Sequence, residues 1–293
     1  MLLEMAVADA YAIPFEFVPH SADRPNDLKT FHRHPTYVEL LTGQYTDDTQ
    51  RSIGNAEVIL GGEWWNQLTY AESYVHQFRL DPREGYSRGY QQLMQSVKTG
   101  MDFMLTIKRD KDSNGSVMGA AVVGFIKDPE MVKLAATTQA CLTHVPATAI
   151  HAQLVALAAN YMIYKRGSKD DLFDYLMSAV SDTSMSKTGW ELWLGDCKNS
   201  QIKTTINAAS ISAFVVGALD RHTTLSGILR EAVDRGGDTD SAAASAVAVA
   251  SHCDEIDNDL PIELYQGLEN GAYGADYLRM LDSELMEYVR EQP

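Results

Sequence analysis

Apolar residues recur along this chain at the three- and four-residue spacing of α-helices, and alternation of apolar and polar residues is scarce. In PATAIHAQLVALAANYMIY, residues 146–164, a proline suits the first helical turn, alanines fill one face, and Gly167 stands just beyond the end. The segment AAASAVAVASH, residues 242–252, is richer still in alanine, which favours close packing between helices. We therefore predict an all-α fold, with helices packed on helices.

The helical segments follow one another without a divider. No linker rich in Gly, Ser or Pro splits the chain and no repeat of fixed period occurs, so we predict one compact many-helix domain over residues 1–293. The stretch 20–42 lacks clean periodicity, and we interpret it as a surface loop, with a functional loop as the alternative. The predicted helical segments are 2–11, 49–60, 67–79, 89–99, 119–124, 129–141, 146–165, 169–178, 204–219, 224–234, 241–252, 262–271 and 273–285.

The formal net charge of −16 limits the kinds of ligand that this chain is expected to bind. Binding to nucleic acid needs clustered Lys and Arg, so we expect no nucleic-acid partner. A small anionic ligand is not excluded, but it would need a metal, a helix N-terminus or a few basic groups at its site.

The sequence also bears on location. No run of about 18 apolar residues occurs, so we expect no transmembrane helix and no membrane partner. The first residues lack the basic stretch of a signal peptide. The cysteines at 141, 197 and 253 are odd in number and far apart, with no CxxC spacing, which supports neither a disulfide framework nor a zinc site. We expect a cytoplasmic protein with reduced thiols.

Two adjacent carboxylates, Asp47 and Asp48, stand between Thr46 and Thr49 where a helical pattern begins. One acid or threonine is well placed there as an N-cap, because its oxygen accepts from first-turn amides near the positive end of the helix dipole. Two adjacent acids are harder to explain in this way, because their like charges repel. A cap and a cation site are both open interpretations of this cluster.

A second acidic cluster lies far downstream, where a glycine pair leads into the alanine-rich helix. It contains Asp238, Asp240 and Ser241. Either cluster alone is most simply a helix cap. Together they supply enough carboxylate and hydroxyl oxygens for hard divalent cations such as Mg²⁺. The sequence shows the right atoms twice, but it does not show whether the two clusters meet.

Three motifs in this order resemble the ADP-ribosylglycohydrolase family. That family typically has a Gly-Asp-Ala-x-Gly-x-Pro-x-Glu run, a Thr-Asp-Asp-Thr motif and a late Gly-Asp-Thr-Asp-Thr/Ser motif. Here they stand as ADAYAIPFE (8–16), TDDT (46–49) and GDTDS (237–241). The segments DSNGSVM (112–118) and LTHVPATA (142–149) are similar to two middle motifs. The resemblance extends over nearly the whole chain.

The resemblance implies an all-α domain with two Mg²⁺ or Mn²⁺ ions. It implies catalytic roles for Asp48, Asp240 and Glu16, the last as the acid that approaches the scissile bond and contacts or deprotonates water. On the sequence pattern alone, an exposed loop carboxylate is as good an interpretation of Glu16 as a functional acid. The implied metal ligands are Thr46, Asp47, Asp48, Asp238, Asp240 and Ser241.

The implied reaction is hydrolysis of the glycosidic bond between ADP-ribose and an acceptor, through oxocarbenium-like charge at the ribose. GQYTDDTQ and the Glu16-Phe17 pair are most similar to the dinitrogenase-reductase-activating glycohydrolases, which act on ADP-ribosyl-arginine. We therefore expect an ADP-ribosylated protein as the substrate, arginine as the favoured acceptor, and a monomeric enzyme. The implied substrate contacts are Glu84 for the guanidinium, backbone amides of Asn114, Gly115 and Ser116 for the diphosphate, and His144 on the adenosine side.

Three positions depart from the family pattern. Ala8 and Ala12 replace glycines, and Gly119 replaces an arginine. These changes leave open a catalytically inactive ADP-ribose-binding or structural protein with the same fold. A two-metal phosphoester hydrolase is a weaker alternative, because no motif here resembles one. Trp64 and Trp65 are interpreted as core aromatic residues rather than as a base-stacking pair.

Overall fold

A computed structural model describes residues 1–19, 21–62, 65–180, 186–199, 201 and 203–292. Within these ranges the regular elements are helices and no strand occurs, so the all-α prediction is confirmed. The α-helices are α1 (Leu2–Ala12), α2 (Asp47–Leu60), α3 (Gln67–Leu80), α4 (Arg88–Ser96), α5 (Gly100–Thr106), α6 (Ala120–Val123), α7 (Pro129–Cys141), α8 (Ala149–Ile163), α9 (Leu172–Ala179), α10 (Lys187–Lys198), α11 (Ala208–Arg221), α12 (Leu225–Arg235), α13 (Thr239–Ala250), α14 (Ile262–Gly267) and α15 (Ala275–Glu291).

The centre of the domain is formed by α1, α8 and α13, which are apolar nearly all round. Every residue of α13 is buried, and in α8 only Gln153 is not. A helix that is apolar on all sides needs neighbours on all sides. Alanine and glycine let those neighbours approach closely: a methyl group at Gly124 would lie 2.6 Å from the backbone nitrogen of Asn160 on α8. The predicted alanine-rich helices are therefore the core.

The packing of α1 against α13 brings the functional ends of these helices together. The Thr239 hydroxyl donates to the carbonyl oxygen of Ala12 at 2.8 Å. The first turn of α13 therefore contacts the last turn of α1.

On its other side α2 faces a second apolar cluster, built from α3, α4 and α5. Its large members include Tyr70, Phe78 and Phe103. Trp65 packs against both apolar clusters, as expected of a core aromatic residue, whereas Trp64 lies outside the described residues. Helix α2 is therefore held between two cores.

Several helix predictions are wrong. The last two helices end at Gly267 and Glu291 rather than at residues 271 and 285. Helix α5 was absent from the prediction because its exposed Met101 and Leu105 obscure the apolar face; it begins at a Thr99–Asp102 capping box. Helix α10, capped by Ser186, was also absent. Helix α11 begins at Ala208, after its cap Asn207, rather than at residue 204.

The loop between α1 and α2 is more than a surface excursion. Leu28 and Phe31 belong to the main core, and the amide of Leu28 donates to the Tyr11 hydroxyl at 2.9 Å. Leu40 is buried as well. The loop is therefore anchored on α1.

No helix in the described ranges has the length and apolar character needed to span a bilayer.

Candidate metal centre and active site

The N-terminus of α2 is capped by a residue from another helix. Asp9, fully buried on α1, accepts from the amide and hydroxyl of Thr46 at 3.0 and 2.7 Å. It also accepts from the amide and hydroxyl of Thr49 at 3.1 and 2.6 Å. Thr46 occupies the N-cap position as predicted, but its side chain accepts from no first-turn amide, so that part of the prediction is wrong. Because α1 supplies the cap, the carboxylates of Asp47 and Asp48 are not needed for it.

The turn that leads into α13 is fixed from two sides. Gly236 and Gly237 have φ of +66° and +87°, and a methyl group at Gly237 would lie 1.8 Å from the carbonyl oxygen of Thr204. The Thr204 hydroxyl lies 3.0 Å from the carbonyl oxygen of Asp238. The amide of Phe17 donates to the Gly237 carbonyl at 2.8 Å, with Phe17 itself at φ +48°. This contact places Glu16, the preceding residue, beside the start of α13.

The two acidic clusters meet in space. The Ser241 hydroxyl on α13 donates to Oδ2 of Asp48 on α2 at 3.0 Å, across 193 positions of sequence. The side-chain amide of Asn114 lies 3.0 Å from Oδ2 of Asp238 and 2.8 Å from the Ser241 oxygen. One site is therefore assembled from α2, α13 and the turn that contains Asn114.

Glu16 completes this site. Glu16, Asp238 and Asp240 each place one carboxylate oxygen within 4.8 Å of the others, an arrangement that can hold a metal ion. Glu16 is half-buried, and the two aspartates are buried. The carboxylate of Glu16, in the loop after α1, therefore lies close to the carboxylates at the N-terminus of α13.

The cluster brings several buried acids close together. Asp48, Asp238 and Asp240 are buried, and Oδ1 of each has no hydrogen-bond partner. Burial, reinforced by the neighbouring acids, raises the pKa of Asp48 and Asp240 well above the ordinary value. Burial raises the pKa of Asp238 to about 6 and, together with the charges of Asp238 and Asp9, that of Glu16 to about 8. No Lys or Arg of the described chain forms an ion pair with them.

A second loop lies directly on Asp47. The Asp47 amide donates to the carbonyl oxygen of Glu84 at 3.1 Å. Gly85, with φ +106°, is so close that a methyl group there would lie 2.0 Å from Oδ1 of Asp47. The Glu84 side chain is exposed. Tyr37, whose ring stacks on His34 at 4.3 Å, lies within electrostatic range of Glu84 as well as of the acidic cluster. Glu84 therefore stands at the rim of the cluster, with Tyr37 nearby.

The turn at Asn114–Ser116 lies between the acidic cluster and His144. A methyl group at Gly115 would lie 2.9 Å from Cε1 of His144, so the turn and the imidazole are in close contact. Ser116 is fully buried, and its hydroxyl donates to the Ser113 carbonyl at 3.1 Å. Burial, with the charge of Arg51, lowers the pKa of His144 to about 3, which keeps the ring neutral.

The structure accommodates the three departures. Ala8 and Ala12 are fully buried within the packed face of α1. At Gly119 a methyl group would lie 2.3 Å from Nδ2 of Asn55, which donates to the Gly119 carbonyl at 2.8 Å. An arginine side chain cannot occupy that position without moving Asn55. The backbone carbonyl oxygen of Arg51 on α2 would lie 3.3 Å from the same methyl group.

The predicted site residues fall into two groups. Glu16, Asp48, Asp238, Asp240 and Ser241 are brought together as one cluster, with Thr46 and Asp47 at the adjoining start of α2, while Glu84, Gly115 and His144 lie around it. The prediction that the Asn114 amide binds the diphosphate is wrong, because this amide donates to the Ile206 carbonyl at 2.7 Å. Ser116 is fully buried. The sequence did not assign roles to Asp9 or to the side chain of Asn114. An isolated acid in the apolar first helix was a signal for Asp9, because such an acid needs buried donors. Nothing in the local sequence signals that the Asn114 side chain reaches Asp238.

A many-helix domain with an acidic cluster at two converging helix N-termini defines a class of α-helical proteins able to hold metal at that point. The chain belongs to the ADP-ribosylglycohydrolase family, whose model matches residues 1–293. Among solved structures it is similar to an "ADP-ribosylglycohydrolase-related protein complex", with TM-score 0.74, 19% identity, and coverage of 99% of this chain and 95% of that one. At this identity the likeness concerns the fold. A search of curated proteins finds no match.

Proposed function

We propose that this protein is a divalent-metal-dependent hydrolase that cleaves the glycosidic bond between ADP-ribose and an acceptor, most favourably an arginine of an ADP-ribosylated protein. The observation that carries the proposal is the buried cluster in which Asp48, Asp238 and Asp240 each keep one unpartnered oxygen. Buried carboxylates must either keep protons or be neutralised by cations, because each buried charge costs several kcal/mol, on the order of a whole domain's net stability when summed. Family membership supplies the reaction class.

The donor set fits two Mg²⁺ or Mn²⁺ ions. Such ions prefer carboxylate and hydroxyl oxygens. The Thr46 hydroxyl donates its hydrogen bond to Asp9, so its oxygen lone pairs are free to bind a cation. The ions would be held by Thr46, Asp47, Asp48, Asp238, Asp240 and Ser241. When bound, they would supply charge neutralisation, orientation of the ribose hydroxyls and a lowered pKa for a reacting water.

Residues of the protein itself would transfer the proton of the reacting water. Glu16 is the acid of the cluster that remains half-exposed, so it can reach both the water and the ribose of a bound substrate. In the proposed reaction the water oxygen bonds to the anomeric carbon while the bond from that carbon to the acceptor nitrogen breaks. Glu16 takes the proton from the water and returns a proton to the leaving nitrogen, so that its own protonation state is unchanged after one turnover. Asp48 and Asp240 act by holding this geometry.

Arginine is the acceptor that the rim favours. Glu84 presents an exposed carboxylate beside Asp47, and carboxylates bind guanidinium groups through two parallel hydrogen bonds. A serine acceptor has no cationic group for this carboxylate to bind.

Hydrolysis of an ADP-ribosylated arginine peptide, with ADP-ribose release followed by chromatography, tests the proposal. We expect turnover with Mg²⁺ or Mn²⁺ and a loss of at least about a thousandfold in Asp48→Ala and Asp240→Ala. Asp220→Ala, at an exposed position of α11, is the matched control and should keep full activity. Undiminished turnover in the two site variants, with their helical content unchanged, would refute the metal-ligand assignment.

Calorimetry, combined with the hydrolysis assay, distinguishes an enzyme from a non-catalytic member of the family. Tight ADP-ribose binding measured by calorimetry, without hydrolysis of arginine, serine or nucleobase linkages, would support a non-catalytic member of the family. Release of phosphate from ADP-ribose would point to phosphoester chemistry.

A further inference from the structure

A buried arginine without a carboxylate partner lies behind the Asn114 turn. Arg51 is 3% exposed, and none of the acids that the structure describes forms an ion pair with it, although Asp47 precedes it by four residues on α2. Its guanidinium lies over the Tyr74 ring at 3.9 Å and donates to the Tyr90 hydroxyl at 2.8 Å. Burying an unpaired cation is costly, so its contacts deserve a functional explanation.

The remaining contact of Arg51 starts a chain of hydrogen bonds with a fixed direction. A guanidinium can only donate, so Thr143 accepts from it, at 3.5 Å. Nδ1 of His144 lies 2.6 Å from the Thr143 oxygen and is the one acceptor that the hydrogen bonds of the described residues offer to the Thr143 hydroxyl proton, so we assign the donor role to Thr143. A neutral imidazole that accepts at Nδ1 carries its proton on Nε2, and Nε2 lies 3.0 Å from the Ser113 oxygen. Ser113 therefore accepts from His144.

This direction leaves one donor unused. The hydroxyl proton of Ser113 has no acceptor among the hydrogen bonds of the described residues, and Ser113 is half-exposed. Ser113 immediately precedes Asn114, whose amide holds Asp238 in the acidic cluster. A donor at this position, in a region made positive by Arg51, matches an anionic oxygen close to a sugar bound at the cluster.

We propose that Arg51 is a positioning residue that acts through Thr143 and His144 to hold the Ser113 hydroxyl as a donor to a phosphate oxygen of the substrate. The inference rests on the proposed function, because that function places a diphosphate next to the ribose. The proposed role of Arg51 also bears on the glycine that stands at position 119 in place of an arginine. The arginine expected after Met118 is absent, and a residue of α2 that carries an arginine stands beside this position, with its backbone carbonyl 3.3 Å from where a side chain at Gly119 would begin.

Calorimetric titration of the Mg²⁺-loaded protein with ADP-ribose and with ADP tests the donor. Ser113→Ala should weaken both ligands by about tenfold, because both carry the diphosphate and a hydrogen bond to a charged acceptor is lost. Ser283→Ala, on the exposed side of α15, is the matched control and should bind like the wild type. Loss of affinity for ADP-ribose alone would overturn the phosphate assignment.

Thr143→Val tests the relay while keeping its shape and Arg51 intact. We expect the same loss of affinity as in Ser113→Ala, with no further loss in the double variant. In ¹⁵N NMR of the ligand-free protein, His144 should carry its proton on Nε2 in the wild type and lose this single tautomer in Thr143→Val. A merely structural threonine would leave the tautomer unchanged, and that result would overturn the relay. Failure of the wild type to bind ADP-ribose would instead refute the proposed function, whereas wild-type binding with an unaffected Ser113→Ala would refute only this inference.

Discussion

Removing the remote cap of α2 should destabilise the fold by an amount that its contacts define. In Asp9→Ala the amides of Thr46 and Thr49 lose their acceptor inside the protein, and the two hydroxyls must find others. A lost cap costs about 1 kcal/mol and each stranded buried donor about 1–3 kcal/mol. The variant no longer buries a carboxylate, which offsets part of the loss. We expect a net decrease of about 2–4 kcal/mol in the free energy of unfolding.

Denaturant unfolding of the metal-free protein, followed by circular dichroism, measures this decrease. Asp9→Asn is the matched control. Its amide oxygen still accepts from both amides, and the Thr46 hydroxyl can rotate to accept from the new NH₂ group. We expect Asp9→Asn to cost less than about 1 kcal/mol. Equal effects of the two substitutions, or an Asp9→Ala protein as stable as the wild type, would refute the capping role.

Two further predictions concern the cluster and its rim. Because burial raises the pKa of Asp238 to about 6 and of Glu16 to about 8, the folded metal-free protein retains protons that the unfolded chain releases near pH 4. Its Tm should therefore fall from pH 5 to 8, and millimolar Mg²⁺ should restore most of the loss at pH 8; a Tm that rises over this range in chelator would contradict the assigned shifts. Gly85→Ala should weaken Mg²⁺ binding at least tenfold, because its methyl group meets the Asp47 carboxylate. Gly62→Ala, also at positive φ but in open space, should bind Mg²⁺ like the wild type, and equal effects of the two would contradict the contact with Asp47.

The sequence predicted the central helices well because their patterns are local. In α8 and α13 the apolar spacing alone requires burial on all sides, and α7 begins and ends where predicted. The sequence did not predict α5, because one of its apolar residues, Leu105, is 80% exposed and obscures the apolar face of the helix. The start of α11 was misplaced because Thr204, taken for a helical residue, instead holds the turn before Asp238.

The ligand set of the site was predictable as a list of atoms but not as an arrangement. Convergence depends on contacts between distant segments, such as Ser241 with Asp48. The same applies to the supporting residues. Asp9 caps a helix that begins 38 residues later (47 − 9), and Asn114 reaches Asp238 across 124 positions. Tertiary packing alone makes these pairs neighbours: α1 against α2 for Asp9, and the Asn114 turn against the start of α13 for Asn114.

The central claim is that α2 and α13 together form one metal centre that holds two divalent cations. Titration with Mn²⁺, with free ion measured by electron paramagnetic resonance, tests it most directly. The account predicts two saturable sites per chain in the wild type and weakening by at least about tenfold in both Asp48→Asn and Asp240→Asn, although these residues lie on different helices. Wild-type protein without saturable Mn²⁺ binding, or variants on either helix that bind both ions as tightly as the wild type, would contradict it.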